Sequence, residues 1–171
     1  KMPARVLHIE RAAPDVAILR LQLPATSPLN YRAGQYVEFI LRDGSRRSYS
    51  MANAPFAATA CEATVPAGIE LHLRHMPGGK FTDQVFGSLK EKDLLRLEGP
   101  FGSFFLREDS SRPIVLLASG TGFAPIKAII EHMRGKGVTR PAALYWGCRS
   151  KADLYLHGWA LQAAAEMPQL N

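Results

Sequence analysis

The chain changes rhythm once, and that change restricts its possible folds more than any other feature. Up to about residue 107, short runs of apolar and polar residues alternate between turns rich in Pro, Gly and Asp. "ARVLHIERA" near the start, "VAILRLQL" at Val16–Leu23, "QYVEFILR" at Gln35–Arg42, "GIELHLRH" at Gly68–His75 and "DLLRLEGP" at Asp93–Pro100 each read as strands. Several short strands with turns between them predict a small antiparallel β-barrel. One helix interrupts them: "KFTDQVFGSL", Lys80–Leu89, sets Phe81, Val85, Phe86 and Leu89 on a common stripe, as suits a cap over one barrel end. After "EDSSRP", Glu108–Pro113, strand and helix alternate instead. "IVLLA" and "AALYW" read as buried strands, "APIKAIIEHMRG" and "DLYLHGWALQAAAEM" as the helices that follow them, which is the opening of a parallel α/β domain. The boundary falls within Arg107–Pro113 and predicts units of residues 1–110 and 111–171.

Composition narrows the class. With 171 residues, 47% hydrophobic and 21% charged, the chain can build one full core and part of a second, as an ordinary globular protein does. The longest apolar run, "PIVLLA" at Pro113–Ala118, is far too short to cross a bilayer, and no basic-then-apolar segment opens the chain. The expectation is a cytoplasmic protein with no membrane partner. A net charge of +6 favours acidic partners, phosphate-bearing cofactors among them. The Lys and Arg residues are scattered, with no RNA-binding aromatic signature, so nucleic acid is set aside as a partner. Cys61 and Cys148 are too few and too far apart for a disulfide framework, and neither sits in a C-x-x-C pair for zinc or an iron-sulfur cluster. No metal site is expected in this chain. His72 and His75 fall on opposite faces of their strand and read as polar strand positions.

Three stretches ask for an anion. "RRSYSMA", Arg46–Ala52, sets two guanidinium groups, three hydroxyls and a ring in what otherwise reads as strand. Strand alternation puts Arg47, Tyr49 and Met51 on one face and Arg46, Ser48 and Ser50 on the other. The first face offers a phosphate clamp beside a flat ring, since a buried guanidinium must be paired with an anion. "PGGKFTD", Pro77–Asp83, joins a strand to the capping helix; Gly78 and Gly79 allow a tight turn, and the helix start offers unpaired N–H groups. Lys80 in that first turn opposes the helix dipole unless an anion sits between them. "LLASGTGFAPIKAI", Leu116–Ile129, is a buried strand, a glycine turn and a helix with Pro125 in its first turn. Its pattern is G-x-G-x-x-P, without the last glycine of the dinucleotide fingerprint, and after the second strand "GCRS" offers Arg149 where an acidic residue would stand.

The order "RSYS", "GGKFT", "GPFGSF", "GTGFAP" and "YWGCRSKADL" resembles the successive signatures of the ferredoxin-NADP reductase superfamily, over nearly the whole chain. The similarity points to the reductase components of bacterial oxygenases and to CDP-6-deoxy-glucoseen reductases. The resemblance implies a small antiparallel FAD-binding β-barrel with a capping helix, followed by a partial parallel α/β NAD(P)-binding domain. It implies that Arg47 holds the FAD pyrophosphate, that Tyr49 packs on the isoalloxazine ring and that Ser50 hydrogen-bonds near the flavin nitrogen that accepts hydride. Tyr49 and Ser50 are thus the candidate catalytic residues. By the same resemblance Gly78, Gly79, Lys80, Phe81 and Thr82 complete the pyrophosphate site through backbone N–H groups and one hydroxyl. Gly120, Thr121, Gly122 and Pro125 shape the pocket for the nicotinamide cofactor, and Arg149 is a candidate for a 2′-phosphate. The family's cysteine near the hydride-transfer site lies in a later motif, so Cys148 is assigned no catalytic role.

The reading that follows is an FAD-dependent NAD(P)H reductase that passes electrons singly to an iron-sulfur protein or domain. NADH and NADPH both remain open as donor. The flavin supplies the chemistry and the protein the orientation. "LASGT" lacks the glycine two residues before the serine that a nucleophile elbow requires. Two other readings stand beside this one: a reductase of free flavin, and a non-catalytic nucleotide-binding module. The opening "KMPARV" reads as a linker, and the resemblance implies a place for a plant-type ferredoxin domain before it in the whole protein. Two strand-helix units are few for a parallel sheet, so the polypeptide is expected to continue past Asn171.

Overall fold

The computed structural model describes residues 1–59 and 67–171; Cys61 lies outside the described residues. Six strands form one sheet: β1 (Met2–Ala13), β2 (Val16–Gln22), β3 (Tyr36–Ile40), β4 (Arg46–Ser50), β5 (Ile69–Arg74) and β6 (Leu94–Phe101). Their spatial order is β4-β3-β6-β1-β2-β5, and every pairing is antiparallel. The two ends of that order meet. Met51, one residue past β4, bridges antiparallel to Leu71 of β5, and the Ala52 N–H donates to the Glu70 carbonyl at 2.7 Å. The sheet therefore curls on itself as a small barrel, which protects the edges that a flat sheet would expose.

Alternation decides what faces inward. Leu19 and Leu21 of β2, Val37 and Phe39 of β3, Leu71 and Leu73 of β5 and Leu97 of β6 are all buried in one core. One end is closed by α2 (Lys80–Phe86), whose Phe81 lies against Phe39 with ring centroids 4.5 Å apart. Burial of such a ring contributes about 1.5–3 kcal/mol, enough to dock a seven-residue helix that would not persist alone. The helix is shorter than the stripe predicts. Gly87 ends it, with its N–H on the Gln84 carbonyl, and Leu89 reaches the core from the following turn. A further short helix, α1 (Pro55–Thr59), was not anticipated; five residues carry too little periodicity to announce themselves.

In the second unit β7 (Ile114–Ser119) and β8 (Ala142–Gly147) pair in parallel, from Ile114↔Ala142 to Ser119↔Gly147. They are joined by α3 (Phe123–Gly135) and followed by α4 (His157–Glu166). Ile126, Ile129, Ile130 and Met133 of α3 form a second core with Ile114, Leu116 and Ala118 of β7 and with Ala163 and Met167 at the α4 side. The opposite face of the ribbon carries Val115, Leu117 and Tyr145, all exposed. The last two residues lie alongside β8, where Leu170 makes a parallel bridge to Ala142. The helix expected over Asp153–Met167 begins only at His157. Ser150 and Asp153 close a capping box on one 3-10 turn, and Leu154 then leaves helical geometry, with φ −77° and ψ 66°, before α4 starts.

Candidate functional site

On β4 the two arginines part company. Arg46 donates to Glu38 Oε2 at 2.8 Å and to Glu98 Oε2 at 2.7 Å, so its charge is met by two carboxylates, one on the paired strand β3 and one on β6 beyond it. Arg47 donates only to the Arg46 carbonyl, at 2.7 Å, and no carboxylate pairs with it among the described residues. Tyr49 lies on the same side as Arg47, its ring edge-on to Phe39 at 5.9 Å and tilted against Phe81 at 5.7 Å. Burial pushes the Tyr49 hydroxyl up, with the Arg47 charge opposing, so the phenol stays protonated. The Ser50 side chain is half-buried and carries no hydrogen bond to protein among the described residues. One short strand thus offers an unpaired guanidinium, a ring and an open hydroxyl.

The contact of Tyr49 with Phe81 brings this strand to the start of α2. Gly78 has φ +84°, a conformation that favours glycine, and the Gly79 N–H closes the turn on the Met76 carbonyl at 2.8 Å. The first helical bond is from Asp83 N–H to Gly79 O, so the N–H groups of Lys80, Phe81 and Thr82 precede it without carbonyl partners among the described residues. Lys80 has its anion already: Nζ bonds Asp43 Oδ2, from the turn between β3 and β4. That bond, with those from Ser45, holds the Asp43 carboxyl well below its usual range. Phe81 is buried and presents only its backbone. Thr82 differs from the expectation of a free hydroxyl. Its Oγ1 donates to Met76 O at 3.0 Å and accepts from Met76 N–H at 3.1 Å, and the buried hydroxyl pins the glycine turn instead.

In the second unit Gly120 has φ +55° and a Cβ there would meet nothing within 4 Å; the backbone conformation, not crowding, requires glycine. Gly122 likewise opens onto space, so a ligand's backbone approach is unobstructed. Gly120–Gly122 form one 3-10 turn that leads into α3, with Pro125 in the first turn of the helix. Trp146 Nε1–H donates to the Gly120 carbonyl at 3.0 Å and ties this loop to β8. A cleft of about 480 Å³ brings Gly120 and Thr121 together with Cys148, Arg149 and Tyr155. Arg149 forms no ion pair among the described residues. The Cys148 thiol is turned to the Asp153 carbonyl at 3.5 Å.

The reading of His72 as a polar strand position is corrected: its side chain is fully buried, with Glu70 on one nitrogen and Tyr155 on the other. Glu70, Lys127 and Tyr155 were not singled out from sequence. A faint signal existed in "APIKAIIEHM", where Lys127 stands amid the apolar residues of the helix with Glu131 four positions on. Among the described residues no group of His, Cys, Asp and Glu could hold a metal ion, and no helix is long and apolar enough to cross a membrane.

Residues 3–106 match the family model of the oxidoreductase FAD-binding domain, and residues 116–171 match that of the oxidoreductase NAD-binding domain. The chain is 44% identical to the terephthalate 1,2-dioxygenase reductase component 1 of Comamonas sp., covering 91% of this chain and 44% of that protein. It is 43% identical to the CDP-6-deoxy-L-threo-D-glycero-4-hexulose-3-dehydrase reductase of Yersinia pseudotuberculosis, over 94% of this chain and 46% of that one. The solved structure of the Amycolatopsis cytochrome P450 reductase GcoB superposes with a TM-score of 0.86 at 36% identity, over 99% of this chain and 50% of that one. The chain spans about half the length of the relatives it matches. An antiparallel barrel, followed by a parallel unit with a glycine turn at its strand end, carries these matches over both units, and the chain belongs to the ferredoxin-NADP reductase superfamily of FAD- and NAD-binding oxidoreductases.

Proposed function

We propose that the protein to which this chain belongs is an FAD-dependent NAD(P)H reductase. The observation that carries the reading is the difference between the two arginines: Arg46 is neutralised twice over, while Arg47 faces the side of Tyr49 with no acidic partner among the described residues. An uncompensated guanidinium beside a ring and an open hydroxyl suits a phosphate attached to a flat aromatic system. Bound there, FAD supplies acceptance of two electrons from a nicotinamide and their release one at a time.

The chain's own residues bind and orient. Arg47 holds the pyrophosphate with the N–H groups that open α2, at Lys80 and Phe81, on a turn shaped by Gly78 and Gly79 and pinned by Thr82. Tyr49 presents its ring to the flavin, and Ser50 donates its hydroxyl to the reacting edge. The loop of Gly120, Thr121 and Gly122, with Pro125 pre-setting the helix that follows, receives the pyrophosphate of the nicotinamide cofactor. Arg149 lines the same cleft and would meet the 2′-phosphate of NADPH, the group that distinguishes NADPH from NADH. The domain boundary lies within Arg107–Pro113. The electron acceptor is an iron-sulfur protein or domain, and the compartment is the cytoplasm.

The absorption spectrum of the purified protein tests this reading. The expected result is a yellow protein whose extracted flavin is FAD and whose flavin bands bleach with NADH or NADPH. Flavin that separates from the protein on gel filtration supports a free-flavin reductase, and a colourless protein that does not take up FAD supports a nucleotide-binding module.

A further inference from the structure

β5 is buried on both of its faces, which a strand of a free-standing barrel would not be. Ile69, Leu71 and Leu73 point into the barrel, so Glu70 and His72 point out of it, yet they are only 6% and 3% exposed. The second unit covers them. Glu70 Oε2 accepts from Arg20 of β2 at 2.7 Å; Oε1 accepts from His72 Nε2–H at 2.7 Å and lies 3.2 Å from Lys127 Nζ of α3. His72 Nδ1 lies 2.6 Å from the Tyr155 hydroxyl. A single arrangement of protons satisfies the chain: Nε2–H donates to Glu70, and Nδ1 accepts from Tyr155.

The electrostatics agree with that arrangement. Desolvation lowers the His72 pKa, against the pull of Glu70, and favours neutral imidazole. Burial raises the Tyr155 hydroxyl, so it keeps the proton that it donates. Burial also works to raise Glu70, but the His72 hydrogen bond with the charges of Lys127 and Arg20 holds it down to about 2. Lys127 is further bound to Glu131 at 2.7 Å and to the Ala52 carbonyl at 3.3 Å.

From Tyr155 the contacts run on to the glycine loop. The Tyr155 ring stands edge-on to Trp146, 5.3 Å between centroids at 89°, and Trp146 Nε1–H holds the Gly120 carbonyl. We propose that Glu70, His72 and Tyr155 are positioning residues for hydride transfer: they lock the nicotinamide-binding unit, through Trp146 and Gly120, at one orientation on the flavin-binding barrel. A buried cluster in which the polar atoms are met by fixed partners from both units favours a single docking geometry, whereas exposed ion pairs slide and re-form. The inference rests on the reading of the chain as a flavin-dependent NAD(P)H reductase.

Tyr155→Phe tests it, because the ring stays against Trp146 and only the bond to His72 is lost; His72→Gln is the second variant. FAD-loaded protein is mixed with increasing NADH or NADPH in a stopped-flow instrument, and amide exchange of residues 120–122 is followed without nicotinamide. The expected result is unchanged FAD content, a limiting bleaching rate lower by about 10-fold or more at a dissociation constant within about threefold of wild type, and faster exchange in the glycine loop. Wild-type rate and exchange in Tyr155→Phe overturn the positioning role, as does a loss confined to the dissociation constant. Wild-type protein that carries FAD and bleaches with neither nicotinamide overturns the functional reading, and the positioning role with it.

Discussion

Arg46 and Arg47 carry the same charge one position apart and end in opposite electrostatic situations. Arg46 is held by Glu38 and Glu98, which raise its pKa further, while among the described residues Arg47 has only a backbone carbonyl. Arg47→Ala is therefore expected to weaken FAD binding by about 1.5–3 kcal/mol, the worth of a charge-assisted phosphate contact. Arg46→Ala should leave FAD content near wild type, and a fluorescence titration of apoprotein with FAD separates the two. Equal losses in both variants would remove Arg47 from the site. Ser50→Ala is expected to retain FAD and to slow its bleaching by NAD(P)H, because a hydroxyl at the reacting edge acts on geometry more than on affinity. Stopped-flow absorbance in the flavin bands measures both. The distinction between the arginines was half legible in sequence: alternation separated their faces, but the carboxylates that neutralise Arg46 come from β3 and β6, and their arrival there is a matter of pairing.

At the scale of the element, the two glycine turns take backbone conformations that side chains resist. Gly78, at φ +84°, and Gly120, at φ +55°, are alike in that a Cβ would meet nothing within 4 Å, so the effect of substitution at either is purely conformational. Gly120→Ala is expected to destabilise the chain by about 1–2 kcal/mol, the penalty of a left-handed residue with a Cβ. Urea denaturation followed by circular dichroism reads this directly, and an unchanged midpoint would show that the turn relaxes to another conformation. The turn before α2 shows where reading by local pattern stops. "GGKFT" marked the tight turn and the helix start that the structure has, while the anion that Lys80 calls for reads in sequence as a ligand phosphate at the helix start. The anion that the fold supplies to it is Asp43, from a turn 37 residues earlier, and Thr82 turns its hydroxyl back to Met76.

At the scale of the whole molecule, the barrel and the α/β unit are joined through buried charge, and stability should report it. Glu70 is held at about 2 in the fold, below its ordinary 4.5, so it binds fewer protons folded than unfolded as acid is added. Its contribution is complete above pH 4.5 and is lost as pH falls from there toward 2. His72 acts in the same direction at higher pH, since its lowered value means that the unfolded chain takes up a proton first as pH falls below about 6.5. The expected outcome is a urea midpoint that falls steadily from pH 7 to pH 4. In Glu70→Gln the midpoint is lower at pH 7, and the part of the fall below pH 4.5 is reduced. A wild-type midpoint that is flat over this range would show that these groups are solvated in solution.

The sequence by itself determined what depends on neighbours along the chain. Period-two alternation marked the strands of the barrel, the switch to strand-helix alternation marked the parallel unit, and glycine marked the turns at Gly78 and Gly120 because few other residues adopt those positive φ angles. The tertiary structure alone decided how the barrel closes, which arginine meets carboxylates on other strands and which outward-facing side chains are buried. His72 and Tyr155 are 83 residues apart and belong to different units. Alternation could say that His72 points away from Leu71 and Leu73. It could not say that another domain waits there, because the burial of an outward face is set by what packs on it, and that contact leaves no periodic trace in the strand itself.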